Sequence, residues 1–157
     1  MEFKSSFQFD WVLTNELAVG CAPKSDRHIQ RLLDEGIKGV LSLCSEEEAA
    51  PPDLLFEKMK TSRVVLPDHR FHRHPTIEEV GRALEELKAL KQSGPVYVHC
   101  MAGIERSPLV CIAWLVTQKN LTPERALAYV MEVHPGTCPL PGQLNVVNEF
   151  SQLTKDS

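Results

Sequence analysis

The stretch Val98-His99-Cys100-Met101-Ala102-Gly103-Ile104-Glu105-Arg106-Ser107-Pro108 decides how this chain folds. On its N-terminal side, Pro95 to His99 is a short apolar run suited to the middle of a sheet. On its C-terminal side, Leu109 to Val116 is wholly apolar, which predicts a helix that starts at Ser107 and is buried on most sides. Between them a seven-residue loop runs from Cys100 to Arg106. A strand that feeds through a tight loop into a helix puts the loop at the carboxyl edge of the sheet, where open α/β folds bind ligands. The amides of such a loop, with the first turn of the helix, form a cradle for an anion.

Strands and helices alternate on either side of this unit. Phe7 to Val12 and Leu17 to Gly20 read as short strands. Ile29, Leu32 and Leu33 share one helical face, with Ser25 or Asp26 as cap and Gly36 as stop. Ile37 to Cys44 reads as a buried strand and Arg63 to Leu66 as another, ending at Pro67; the segment between them allows a short helix after Pro51-Pro52. Thr76 and Glu79 form a capping box ahead of Ile77, Val80, Leu84, Leu87 and Leu90, and Gly94-Pro95 breaks that helix. Thr122-Pro123 opens a further helix through Val130, Pro135 to Pro141 is rich in turns, and Leu144 to Phe150 reads as a last helix. Such alternation predicts the α/β class with a largely parallel sheet. The length, 157 residues, predicts one domain over residues 1–157.

Composition narrows the function. A net charge of −4, from 17 basic and 21 acidic side chains, speaks against a non-specific nucleic-acid binder. Phosphate recognition would therefore be local. The longest apolar run, Leu109 to Val116, falls far short of the roughly 20 residues of a membrane span, and the first residues lack the pattern of a signal peptide. Five cysteines without paired spacing suit reduced thiols better than a disulfide framework. The expectation is a soluble, cytoplasmic protein.

The loop carries a chemistry. Gly103 permits the backbone angles of a tight loop, and the amides of Met101, Ala102, Gly103, Ile104 and Glu105 are candidates to hold phosphate oxygens. Arg106 offers a planar, always-charged fork that grips two of those oxygens at once. The same positive environment stabilises a thiolate at Cys100; settings of this kind lower cysteine pKa to roughly 3.5–7.5. Ser107 is placed to donate a hydrogen bond to the sulfur. A thiolate beneath a bound phosphoryl group can attack in line and form a phosphocysteine. Alternatively, Cys100 is an inert buried thiol and Arg106 an ordinary ion-pair partner.

The leaving oxygen needs a proton. Asp68, 32 residues before Cys100, follows another core strand and so lies at the same edge of the sheet. It is the first candidate for the acid, which would later activate water as a base. Asp53 and Asp34 are the alternatives, and a turn-forming Asp after Pro67 is the structural one. His69, Arg70, His72, Arg73 and His74 follow directly. They read as positive charge near the entrance or as a solvated loop rather than as a metal site. No metal and no cofactor is called for.

This arrangement resembles the signature H-C-x-x-G-x-x-R-[S/T] of the cysteine-based protein tyrosine phosphatase superfamily, through His99, Cys100, Gly103, Arg106 and Ser107. Trp11-Val12 through Gly20 is similar to the opening strands of small dual-specificity phosphatases, and His134-Pro135-Gly136 through Leu144 resembles their C-terminal turn and helix start. The resemblance implies a three-layer α/β/α fold with Cys100 as nucleophile and Pro67-Asp68 as the acid pair. It also implies a shallow pocket that takes phosphotyrosine and, beside it, phosphoserine and phosphothreonine in proteins. A non-protein phosphate such as a phosphoinositide, phosphosugar or nucleotide is the alternative. Glu105 departs from relatives that carry a small or basic residue there, and a rim carboxylate should repel polyanions; Arg70 and Arg73 could compensate. In some relatives a cysteine matching Cys44 pairs with the nucleophile under oxidation, so the resemblance also implies a Cys44–Cys100 disulfide. The other reading makes Cys44 a small packing residue. A phosphate-binding module without turnover and a rhodanese-like sulfur transferase are the rival classes. The first would not need Asp68, and the second would need neither Asp68 nor the Gly-x-x-Arg-Ser ending.

Overall fold

The computed structural model describes residues 7–156. Strand β5, Val96–His99, is the middle of a five-stranded sheet. Around it lie β1 (Phe9–Leu13), β2 (Leu17–Gly20), β3 (Gly39–Ser42) and β4 (Lys60–Arg63), in the order β1-β2-β5-β3-β4. β2, β5, β3 and β4 are mutually parallel, and β1 at the edge pairs antiparallel with β2. Among the described residues six α-helices follow the strands: α1 (Asp26–Asp34), α2 (Leu54–Lys58), α3 (Ile77–Lys91), α4 (Arg106–Lys119), α5 (Pro123–Val133) and α6 (Pro141–Asp156).

Side chains that alternate along the buried strands divide the core in two. Leu17, Val19, Leu41, Val96 and Val98 face the layer built by α3, α4, α5 and α6. Ala18, Val40 and Tyr97 face the other side and meet Ile29 and Leu32 of α1 and Leu55 of α2. This is the expected three-layer, mostly parallel architecture. Every residue of α4 from Arg106 to Val116 is buried, so its apolar run is enclosed by the sheet and by its neighbouring helices. Each buried Leu or Ile there contributes about 1.5–3 kcal/mol, which fixes the point where the loop enters the helix. The Thr76–Glu79 capping box forms as its sequence dictates.

Several boundaries move. β4 is not the buried strand expected over Arg63 to Leu66 but the edge strand Lys60–Arg63, with Lys60 exposed. Val64 and Leu66 still donate their amides to Ser42 and Leu43 and remain buried, so their apolar character reflects burial beyond the regular ladder. β3 is confined to Gly39–Ser42, where it pairs with β5 and β4 together. The last helix begins at Pro141, a residue suited to a first helical position, and runs to Asp156, well past the expected limits.

Candidate active site

β5 ends at His99 and α4 begins at Arg106, so the loop between them hangs over the carboxyl edge of the sheet. Its carbonyls are pinned from outside. His99 Nδ1 donates to the Cys100 carbonyl at 3.0 Å, and the amide of Ala22 donates to Met101 at 3.1 Å. His134 Nε2 donates to Gly103 at 2.6 Å, and the amide of Cys138 to Ile104 at 2.7 Å. In a trans peptide the carbonyl of one residue and the N–H of the next point in opposite directions. Pinning these four oxygens therefore turns the N–H groups of Met101, Ala102, Ile104 and Glu105 the other way. Those four residues line a cavity of about 270 Å³, together with Cys100, Arg106, Asp68, His69 and Arg70. Gly103 stands behind it at φ +80°, and a Cβ there would lie 2.8 Å from the backbone of Gly20.

Cys100 is buried, and its sulfur lies 3.3 Å from the Ser107 hydroxyl. His99, fully enclosed, accepts or shares the Ser42 hydroxyl at 2.7 Å through Nε2 while Nδ1–H serves the Cys100 carbonyl. Burial holds this imidazole down to about 4, aided by the charges of Arg63 and Arg106, so it is neutral. Arg106, also buried, grips both oxygens of Glu48, Nη2 to Oε1 at 2.9 Å and Nη1 to Oε2 at 3.2 Å. Nη1 donates besides to the Leu66 carbonyl at 3.2 Å. The Nε–Nη2 edge of the fork remains for an anion. Burial by itself would raise the Glu48 carboxyl, but the Arg106 and Ser45 hydrogen bonds and the charges of Arg106 and Arg70 bring it to about 2.

Asp68 caps the short helical turn His69–Phe71 and accepts from Arg70, at 3.0 Å from its amide and 2.8 Å from Nε. Arg106 Nη2 lies 3.6 Å from the same carboxylate. Burial opposes ionisation of Asp68, yet the hydrogen bonds from Arg70 and the charges of both arginines outweigh it and lower the pKa. Arg70 also binds Glu48 at 2.7 Å. Two arginines and two carboxylates thus form one network across the cavity wall.

Asp34 and Asp53 lie at the end of α1 and before α2, away from the cavity lining. Glu105 is not a free rim charge: Gln143 Nε2 donates to Oε1 at 2.7 Å, and His69 Nδ1 lies 3.0 Å from Oε2. Arg73 is drawn away from the mouth into a two-bond pair with Glu79, at 2.8 Å each, so it cannot offset Glu105. Cys44 and Cys100 are both free thiols, and burial raises the Cys44 thiol. The expectations assigned no role at the loop to Glu48, or to Gln143 and His134, which figured only within the C-terminal stretch of the resemblance. Glu48 sits in the acidic run Glu46-Glu47-Glu48; its one local signal is Ser45, three residues earlier, which exchanges hydrogen bonds with it.

Residues 20–153 match the family model of the dual specificity phosphatase catalytic domain. The phosphatidylglycerophosphate phosphatase PTPMT2 of Arabidopsis thaliana is 30% identical over 156 residues, which is 98% of this chain and 68% of that protein. The mouse phosphatidylglycerophosphatase and protein-tyrosine phosphatase 1 is 26% identical over 149 residues, 90% of this chain and 76% of its own. The crystal structure of PTPMT1 in complex with PI(5)P superposes with a TM-score of 0.80 at 23% identity, covering 94% of this chain and 97% of that one. With its signature loop, its sheet order and a family match that spans most of its length, the chain belongs to the dual specificity phosphatase catalytic-domain family of cysteine-dependent phosphatases.

Proposed function

We propose that Cys100, Arg106, Ser107 and Asp68 carry out hydrolysis of a phosphomonoester in two steps. Arg106 and the loop amides seat the phosphoryl oxygens, and the Cys100 thiolate, with the Ser107 hydroxyl donating to it, attacks phosphorus. An S–P bond forms as the P–O ester bond breaks, and protonated Asp68 delivers its proton to the departing oxygen. Water then attacks the phosphocysteine, Asp68 takes its proton, and the thiolate leaves as inorganic phosphate is released. Glu48 does not compete for the anion, because it holds the other end of the Arg106 fork. The observation that carries this reading is the cradle itself, four pinned carbonyls above a buried cysteine with a buried, oriented arginine.

The substrate class proposed is the phosphomonoester headgroup of a glycerophospholipid. Exposed Phe71, Met101 and Ile104 belong to the elements around the mouth, and Met101 and Ile104 line it. An apolar mouth suits a phosphate presented at a lipid surface. The Arabidopsis and mouse relatives, which carry phosphatidylglycerophosphate activity in their names, support the same class. Hydrogen bonding to Gln143 and His69 ties the Glu105 carboxylate back, so it opposes such a headgroup less than a free rim carboxylate would. Protein phosphotyrosine is the second reading, favoured by the mouse relative's second named activity. Phosphate release from phosphatidylglycerophosphate in mixed micelles, set against a phosphotyrosine peptide at equal concentration, separates them. Higher kcat/KM on the lipid is expected; turnover of the peptide alone would overturn the lipid assignment.

A further inference from the structure

His134 closes α5 and is wholly buried, yet both of its ring nitrogens face oxygen. Nε2 is 2.6 Å from the Gly103 carbonyl, and Nδ1 is 2.7 Å from Oδ2 of Asp10 in β1. A backbone carbonyl cannot donate, so Nε2 carries a hydrogen. The carboxylate of Asp10 is likewise an acceptor, so Nδ1 carries one too. A neutral ring would leave a lone pair facing an oxygen at less than 3 Å in an enclosed site, the arrangement that burial penalises most. The Gln8 amide, 3.5 Å from Nδ1, is too long to supply the missing proton and spends its hydrogens on Asp10 at 3.2 Å and the Pro135 carbonyl at 3.1 Å. Asp10 is the charged group that meets the ring.

We propose that His134 is a positioning residue: an imidazolium, held by Asp10, that pins the Gly103 carbonyl and so sets the Ile104 amide for phosphate. The geometry of the following turn supports this. The Thr137 hydroxyl donates to the His134 carbonyl at 2.7 Å, and the Cys138 amide reaches the next carbonyl of the loop, Ile104. Two consecutive peptides of the loop are therefore oriented by residues 134–138. Gly103 needs the help, because at φ +80° and without a side chain it offers nothing else to fix its peptide. The contrast with His99 is informative. His99 is equally enclosed but faces one carbonyl and one hydroxyl, so it is satisfied as a neutral ring. His134 faces a carbonyl and a carboxylate and is not.

This inference rests on the reading of the loop as a phosphate cradle, and its test needs no knowledge of the substrate. In wild-type protein at pH 7, a ¹⁵N–¹H correlation spectrum of the His134 ring should show both Nδ1–H and Nε2–H. Orthovanadate affinity, read by inhibition of p-nitrophenyl phosphate hydrolysis or by direct calorimetry, should fall about tenfold or more in His134→Gln. That is the loss expected for a hydrogen bond from a charged group. Asp10 is partly exposed, so Asp10→Asn gives the same test should His134→Gln fail to fold. It should remove one ring proton from His134 and weaken vanadate by the same order. A single ring N–H in the wild type, or unchanged vanadate affinity in Asp10→Asn, overturns the proposal. A wild type that binds vanadate but hydrolyses neither lipid nor peptide would count against the proposed function alone.

Discussion

Arg106 meets Glu48 end-on, with two guanidinium nitrogens 2.9 and 3.2 Å from the two carboxylate oxygens. These residues are 58 positions apart in sequence, one at the start of α4 and the other after β3. The pair fixes the guanidinium plane before any anion arrives. Glu48→Gln keeps the shape but removes the charge and one acceptor, so Arg106 should lose its orientation. A hydrogen bond to a charged group contributes about 1.5–3 kcal/mol, so kcat/KM should fall by roughly 10–100-fold. Steady-state kinetics on p-nitrophenyl phosphate reads this directly. Unaltered kcat/KM would make Glu48 a bystander.

Against its burial, the hydrogen bonds from Arg70 lower the pKa of Asp68. In its proposed role as general acid it must be protonated when the ester bond breaks, so the alkaline limb of the kcat/KM profile should report its ionisation. Asp68→Asn should remove that limb and cut kcat by about 10²–10⁴-fold on alkyl phosphates, less with a leaving group that needs no proton. Arg70→Gln removes a positive charge and a hydrogen bond from the carboxylate. Its pKa then rises, and the limb should move to higher pH. A limb that stays put in both variants would mean that another group is the acid.

Glu79 is held near 2 by its hydrogen bonds from Arg73, opposed by burial. A carboxyl depressed below its ordinary value of 4.5 stabilises the fold above that value, and the effect disappears as pH falls toward 2. The pair is half exposed on the arginine side, so solvent screens it and its contribution is small. Arg73→Gln should therefore lower Tm at pH 7 by no more than about 2–4 °C for a chain of this size. The gap should narrow at pH 3. An equal gap at both pH values would argue that packing, not charge, is lost.

Gly103→Ala places a methyl group 2.8 Å from the Gly20 backbone at φ +80°. Backbone, unlike a flexible side chain, cannot yield cheaply, and a left-handed residue with a Cβ costs about 1–2 kcal/mol besides. The peptide should rotate and withdraw the Ile104 amide. Phosphate or vanadate affinity should drop by tenfold or more with a modest loss of Tm, measured by calorimetry and thermal denaturation. Full affinity in the variant would show that the close approach to Gly20 is not needed.

The loop, its strand and its helix were legible in sequence because each is local: Pro95 to His99 is apolar, Leu109 to Val116 is apolar, and the residues between them are functional types at fixed spacing. Asp68 was legible for a similar reason, since it stands two residues after Leu66, which with Val64 is buried while Val65 between them is exposed. The partners that orient these groups were not. Glu48, Gln143 and His134 reach the loop across 58, 38 and 31 residues of sequence. Periodicity carries no trace of such contacts. The position of β4 was misread because burial and ladder pairing part company at a sheet edge: Val64 and Leu66 are buried just after the ladder ends. Proximity in sequence alone places Arg73 at the entrance, whereas the helix start at Thr76 offers it Glu79.

The proposed mechanism passes through a covalent intermediate on Cys100. Wild-type protein mixed with a phosphomonoester and quenched in acid within its first turnovers should carry one phosphoryl group, which peptide mass spectrometry should locate on Cys100. Cys100→Ser should bind vanadate but show no phosphoryl group and no turnover. A phosphoryl group on any other residue, or steady-state hydrolysis by Cys100→Ser, would contradict the account.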